Sequence, residues 1–146
     1  TNDDSTMELK LIRDLILRSV DALIIAPCNG IPALKPVLDE TPIPVVWVDR
    51  IGDEFADFVG VDNYMESSML VKKFSIKPKR VGILHPKRSD VMTIQLRIDG
   101  TRSACEKQGI PYELASLTEN EKESVEKMRQ MIADGVDSFV ALNNKG

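Results

Sequence analysis

Hydrophobic and polar positions along the chain switch repeatedly between a helical period and short apolar runs. Ser5-Thr6-Met7-Glu8 matches a capping box, with the Ser5 hydroxyl free to take a first-turn amide while Glu8 turns back to the cap. Behind it, Leu9, Ile12, Leu15, Ile16 and Val20 recur at the spacing of one helix face. Residues 20–27 (VDALIIAP) then form a nearly unbroken apolar run, which suits a strand buried on both faces of a parallel sheet. Asn29 is placed to cap a short helix through Leu38, and Pro42 and Pro44 force an extended entry into the run 44–49 (PVVWVD).

The alternation continues to the end. Residues 58–62 (FVGVD) suit a strand, and Asn63, three residues before Glu66, opens a helix through Phe74. Pro78 interrupts, and residues 80–85 (RVGILH) predict the next strand. A helix from about Thr93 places Leu96, Gly100, Ala104 and Cys105 on one face and stops at Gly109. Residues 111–117 suit a strand, and Thr118-x-x-Glu121 is a second capping-box match leading into Val125, Met128 and Ile132. Gly135 ends that helix, and residues 136–142 (VDSFVAL) close the series as a strand. Met128 and Met131 suit core filling. Strand and helix in strict turn predict an open, mostly parallel α/β sheet.

Composition narrows the function. The chain has 146 residues, with 23 acidic and 19 basic side chains and a net charge of −4. Its 42% apolar and 29% charged residues are those of an ordinary globular protein. The apolar runs are far too short to span a bilayer, and no secretory leader is expected from the first residues. The mild acidic excess argues against a nucleic-acid footprint in this segment. Cys28 and Cys105 form no C-x-x-C pair, and with His85 as the one histidine they make no zinc set. Two buried, reduced thiols are expected, which leans toward the cytosol.

In open α/β sheets, ligands bind beyond the carboxyl ends of the strands. The residues there are Cys28-Asn29, Asp49-Arg50, Asp62-Asn63, His85 and Asn143-Asn144. Such a rim suits a polar, hydroxyl-rich small molecule, although Asp62 and Asn63 equally suit plain helix caps. No G-x-G-x-x-G, P-loop or G-x-S-x-G sequence is present, and His85 has no nucleophile in a recognised context. The chain is therefore expected not to be an enzyme, and it carries no cofactor or metal motif.

The runs Val20-Asp21-Ala22-Leu23-Ile24-Ile25-Ala26-Pro27, Ile43-Pro44-Val45-Val46-Trp47-Val48-Asp49-Arg50 and Val59-Gly60-Val61-Asp62-Asn63-Tyr64 occur in a telling order. Lys79-Arg80-Val81-Gly82-Ile83-Leu84, Arg97-Ile98-Asp99-Gly100-Thr101, Gly109-Ile110-Pro111 and Val136-Asp137-Ser138-Phe139-Val140-Ala141-Leu142-Asn143-Asn144 continue it. In this order and spacing the chain resembles the LacI/GalR regulators and their relatives, the ribose-type periplasmic sugar-binding proteins.

The resemblance implies a periplasmic-binding-protein-like type I α/β fold, two Rossmann-like subdomains with parallel sheets, incomplete in this chain. It places the first crossing near Lys77 and Pro78, so that residues 1–76 belong to one subdomain and 77–146 to the other. By motif, Arg97 matches the arginine that reaches ligand hydroxyls, and Asp49 and Arg50 match the sugar-binding V-D-R. Asn143 matches the strand-end asparagine, and Tyr64 stands where some regulators place a polar ligand contact. Asn144 in place of Asp, Thr101 in place of an aromatic, and His85-Pro86-Lys87-Arg88 in place of a Gly-rich turn depart from the pattern. The implied role is a sugar-sensing core of a cytoplasmic, dimeric transcription regulator. It would meet DNA only through a headpiece outside these residues and would not meet a membrane. The alternative is a periplasmic sugar receptor of a transporter, toward which Pro27-Cys28-Asn29-Gly30-Ile31-Pro32-Ala33-Leu34-Lys35-Pro36 tilts. The resemblance also implies a strand–helix–strand unit before Thr1 and further strands after Gly146, leaving a strand edge here unpaired.

Overall fold

The computed structural model describes residues 4–28, 31–50, 56–87 and 91–142. The chain forms two compact units, Thr1–Val61 and Asp62–Gly146. The 76/77 boundary implied by the resemblance falls inside the second unit.

The first unit runs α1 (Ser5–Leu17), β1 (Leu23–Ile25), α2 (Ile31–Asp39), β2 (Val45–Val48) and β3 (Asp57–Val59). Its strands lie parallel in the order β1-β2-β3, with Leu23 opposite Val45 and Trp47 opposite Phe58. Both helices cover the same face. Ile12 of α1 and Leu34 and Leu38 of α2 pack with Leu23, Ile25, Val45 and Trp47. This corrects the expectation of a strand buried on both faces: Ile24, pointing the other way, is 77% exposed. Period-2 alternation sends the residues of the apolar run to opposite faces, and among the described residues helices lie on one of them. β1 and β3 are the edge strands of this sheet.

The second unit runs α3 (Asn63–Lys72), β4 (Val81–Pro86), α4 (Met92–Lys107), β5 (Tyr112–Leu117), α5 (Glu121–Ala133) and β6 (Ser138–Ala141). Its strands are parallel too, in the order β5-β4-β6. Here both faces are covered. Val81 and Ile83 pack with Ile94, Ile98, Ala104 and Cys105 of α4 and Val71 of α3. Leu84 and Ala115 pack on the opposite side with Met131 of α5, and Met128 borders that cluster, as expected of core filler. Gly82 makes room for a cross-strand ring, since a Cβ there would lie 2.5 Å from Phe139. Gly109 and Gly135, just past α4 and α5, take left-handed φ of 61° and 93° and so end the two helices as expected.

The caps differ from the sequence reading. Asp4, not Ser5, caps α1 and accepts from the Thr6 and Met7 amides, so Glu8 is not part of a box. Asp62 caps α3 and accepts from the Met65 amide. Asn120 caps α5, while the Thr118 hydroxyl donates to Glu123. The Asn29 cap lies outside the described residues.

Candidate functional site

The two units each present polar groups at the carboxyl ends of their strands. In the second unit β4 lies between β5 and β6, and α4 and α5 cover opposite faces of the sheet. The strand order therefore reverses beside β4. That is the switch-point geometry at which open α/β sheets form a ligand crevice, between the carboxyl ends of β4 and β6.

Arg97, in the second turn of α4, reaches this point. Its Nη1 donates to the Leu142 carbonyl at the end of β6 (3.2 Å), and its Nε donates to Asn63 Oδ1 (2.7 Å). The side chain is half-buried, and Nη2 makes no hydrogen bond among the described residues. A guanidinium carries five donors in a rigid plane, so two bonds through Nε and Nη1 fix it and leave Nη2 to give. Asn63 is itself only 6% exposed. Asp62 holds the cap, and the Asn63 side chain turns to accept from Arg97.

The contact is set by how closely α3 crosses α4. A Cβ on Gly100 would fall 2.2 Å from the Tyr64 carbonyl oxygen and 2.4 Å from Ser67 Oγ. Ser67 Oγ donates to the Asn63 carbonyl (2.7 Å), which ties the start of α3 to its own next turn. Thr101 is fully buried and donates to the Arg97 carbonyl (2.9 Å). The small hydroxyl therefore serves as a helix-internal partner where the resemblance implies an aromatic ring. Tyr64 is exposed at the start of α3 and no described side chain holds its hydroxyl. His85 is half-buried at the end of β4, with Nδ1 2.9 Å from the Pro86 carbonyl. Asn143, Asn144 and Arg88 lie outside the described residues.

In the first unit, Asp49 follows β2 and is exposed, in the left-handed region at φ 66°. Its amide donates to the Val59 carbonyl (3.1 Å), holding the end of β3. Asp is among the few side chains that tolerate this conformation. Arg50 turns back toward β1, where its Nη1 donates to the Pro27 carbonyl (3.1 Å) and to the Cys28 carbonyl. The Cys28 amide in turn donates to Glu8 Oε1 (3.0 Å), and Glu8 is buried at 6% exposure. Glu8 and Arg50 thus grip the two sides of one strand-end residue. Asp49 and Arg50 come together at the ends of β1 and β2, and Arg97 comes together with Asn63.

Sequence reading missed the part Glu8 and Asn63 take in these arrangements, because both residues also fit the cap patterns that surround them. Cys28 and Cys105 are both buried, as expected. Burial pushes the Cys105 thiol up from its ordinary value. Among the described residues no cluster of three or more His, Cys, Asp or Glu could hold a metal ion. No described helix is long and apolar enough to cross a membrane.

No family model and no curated protein matches the sequence. Solved structures do match it. A LacI transcriptional regulator from Lactobacillus brevis superposes with a TM-score of 0.83 at 23% identity, over 97% of this chain and 56% of that one. The Cra transcriptional dual regulator from Pseudomonas putida, in complex with fructose 1-phosphate, gives 0.74 at 21% identity, over 96% of this chain and 54% of that one. An ABC transporter periplasmic solute-binding protein from Actinobacillus succinogenes with bound D-allose gives 0.76 at 23% identity, over 96% of this chain and 56% of that one. The chain has the α/β, periplasmic-binding-protein-like type I fold that these proteins share, and it spans about half the length of each.

Proposed function

We propose that these residues are part of the sugar-sensing domain of a LacI/GalR-type transcription regulator. The observation that carries the reading is Arg97, held in one plane at the strand-order switch with Nη2 left to donate. Sugar hydroxyls, which accept as well as donate, suit such a donor. Asp49, Arg50, Asn143 and Tyr64 are assigned to sugar binding as well. The solved neighbours include regulators and periplasmic receptors with bound sugars, and the reading assigns no catalysis. Sugar closing that domain would bias a cytoplasmic homodimer between two states, and DNA would be met by a separate headpiece.

A second reading, a periplasmic sugar receptor for a transporter, draws on the D-allose-bound neighbour, which matches at the same 23% identity as the Lactobacillus brevis regulator, with a TM-score of 0.76 against 0.83. The coding sequence upstream of Thr1 discriminates: a helix-turn-helix supports the regulator, a cleavable leader the receptor.

The test is a thermal-shift screen of the full-length protein with D-ribose, D-allose, fructose 1-phosphate and other pentoses and hexoses. A ligand at a hundred times its Kd adds about 2.7 kcal/mol of apparent stability. Arg97→Ala should then weaken binding of the best sugar by about 1–3 kcal/mol, the scale of a hydrogen bond to a charged group. No shift with any sugar, or an unchanged Kd in Arg97→Ala, would sink the assignment.

A further inference from the structure

We infer that Asn63 is a positioning residue for sugar recognition, acting through Arg97 by fixing which of its donors faces the ligand. The inference rests on the proposed role of Arg97. Its own basis is the geometry at the start of α3. Asp62 supplies the helix cap, so Asn63 is not needed for it. A primary amide buried to 6% exposure is costly unless its polar atoms are bonded, and Asn63 Oδ1 lies 2.7 Å from Arg97 Nε. The Leu142 carbonyl holds Nη1 from the other side. Two acceptors on two different elements define a plane, and the rigid fork leaves Nη2 as the group to be offered.

The placement is enforced by packing. The close approach at Gly100 sets α3 against α4 where the two side chains meet, while the Ser67 and Thr101 hydroxyls bond back to the Asn63 and Arg97 carbonyls within their own helices. A neutral acceptor also suits the task. Asn63 orients the guanidinium without cancelling its charge.

The experiment uses the full-length protein, with Asn63→Leu removing the acceptor at similar volume, Asn63→Ala as a second truncation and Asn63→Asp keeping an acceptor oxygen. Calorimetry with D-ribose, D-allose and fructose 1-phosphate should show Asn63→Leu weakening the sugar that binds by about tenfold, with Asn63→Asp restoring most of the loss. In an Arg97→Ala background, Asn63→Leu should cause no further loss, because its effect passes through the missing guanidinium. The Arg97 Nε–H signal in NMR should exchange with water faster in Asn63→Leu and Asn63→Ala than in the parent.

Undiminished affinity in folded Asn63→Leu and Asn63→Ala, losses that multiply in the double variant, or an unchanged Nε–H signal would each overturn the inference. If Arg97→Ala leaves sugar binding intact, the sugar reading fails instead. The Nε–H exchange then still decides whether Asn63 holds Arg97.

Discussion

Gly100 shows at residue scale how packing and chemistry are joined. Alanine is the better helix former by about 1 kcal/mol, so on propensity alone Gly100→Ala in mid-helix should stabilise. The added Cβ would instead fall 2.2 Å from the Tyr64 carbonyl oxygen, a backbone atom with no rotamer to move. We expect Gly100→Ala to lower stability by about 1–3 kcal/mol, the usual cost of overpacking, measured as a shift of the urea midpoint. A neutral or stabilising result would mean that α3 and α4 separate more easily than their contact implies. The resemblance singled out Arg97 and Gly100 in one run, and the close helix crossing gives each of them a structural part there. Glu8 and Asn63 were not legible in the same way. Asp4, Ser5 and Thr6 are all able to cap α1, and Asp62 and Asn63 both able to cap α3, so spacing does not decide among them. What decides is a partner distant in sequence: the Cys28 amide for Glu8 and the Arg97 guanidinium for Asn63.

Elements were more legible than their surroundings. The order of helices and strands follows from periodicity because a strand and a helix each expose a fixed pattern whatever packs on them. Coverage does not follow, since the run containing Leu23, Ile24 and Ile25 looks alike whether one face or two receive helices. The second unit adds a tie that no periodicity predicts. The Asp137 carboxylate, just before β6, accepts from the Lys79 amide (3.0 Å) and the Arg80 amide (3.4 Å), just before β4. These bonds, the Lys79 amide first, hold the carboxyl below its ordinary value. A carboxyl whose folded value is depressed stabilises the fold above the ordinary carboxylate range, and that contribution fades as pH falls through the folded value. Asp137→Asn mimics the protonated acid. It should unfold at lower urea than the parent at pH 7, and the gap should close on acidification below about pH 4. Urea titrations of both proteins across that range check the sign, and a gap that widened in acid would be incompatible with it.

For the whole molecule, the unequal coverage of the two sheets has a thermodynamic consequence. The first unit, of about 60 residues, belongs to a size class that buries a small share of its surface and is marginal alone. It also leaves Ile24 77% and Val59 62% exposed. The second unit buries β4 between two apolar layers, and Val81, Gly82, Ile83 and Leu84 are all buried. At about 25 cal/mol per Å² of apolar surface, the second unit should outlast the first. Each unit carries its own reporters. Trp47, the single tryptophan, is fully buried in the first unit, as is Cys28 at 3% exposure. Cys105 is fully buried in the second. In a urea titration of these 146 residues, tryptophan fluorescence and Cys28 alkylation should change together at lower denaturant. Cys105 alkylation and the remaining far-ultraviolet circular dichroism should follow at higher denaturant. Below that second transition Cys105 should stay inert, because burial raises its thiol pKa as well as shielding it. Coincident curves from all the probes would instead mean one cooperative unit, with the uncovered face of the first sheet costing less than its exposure implies. The order of the transitions also bears on the proposed site. Arg97 and Asn63 belong to the unit expected to persist, and Asp49 and Arg50 to the one expected to yield first.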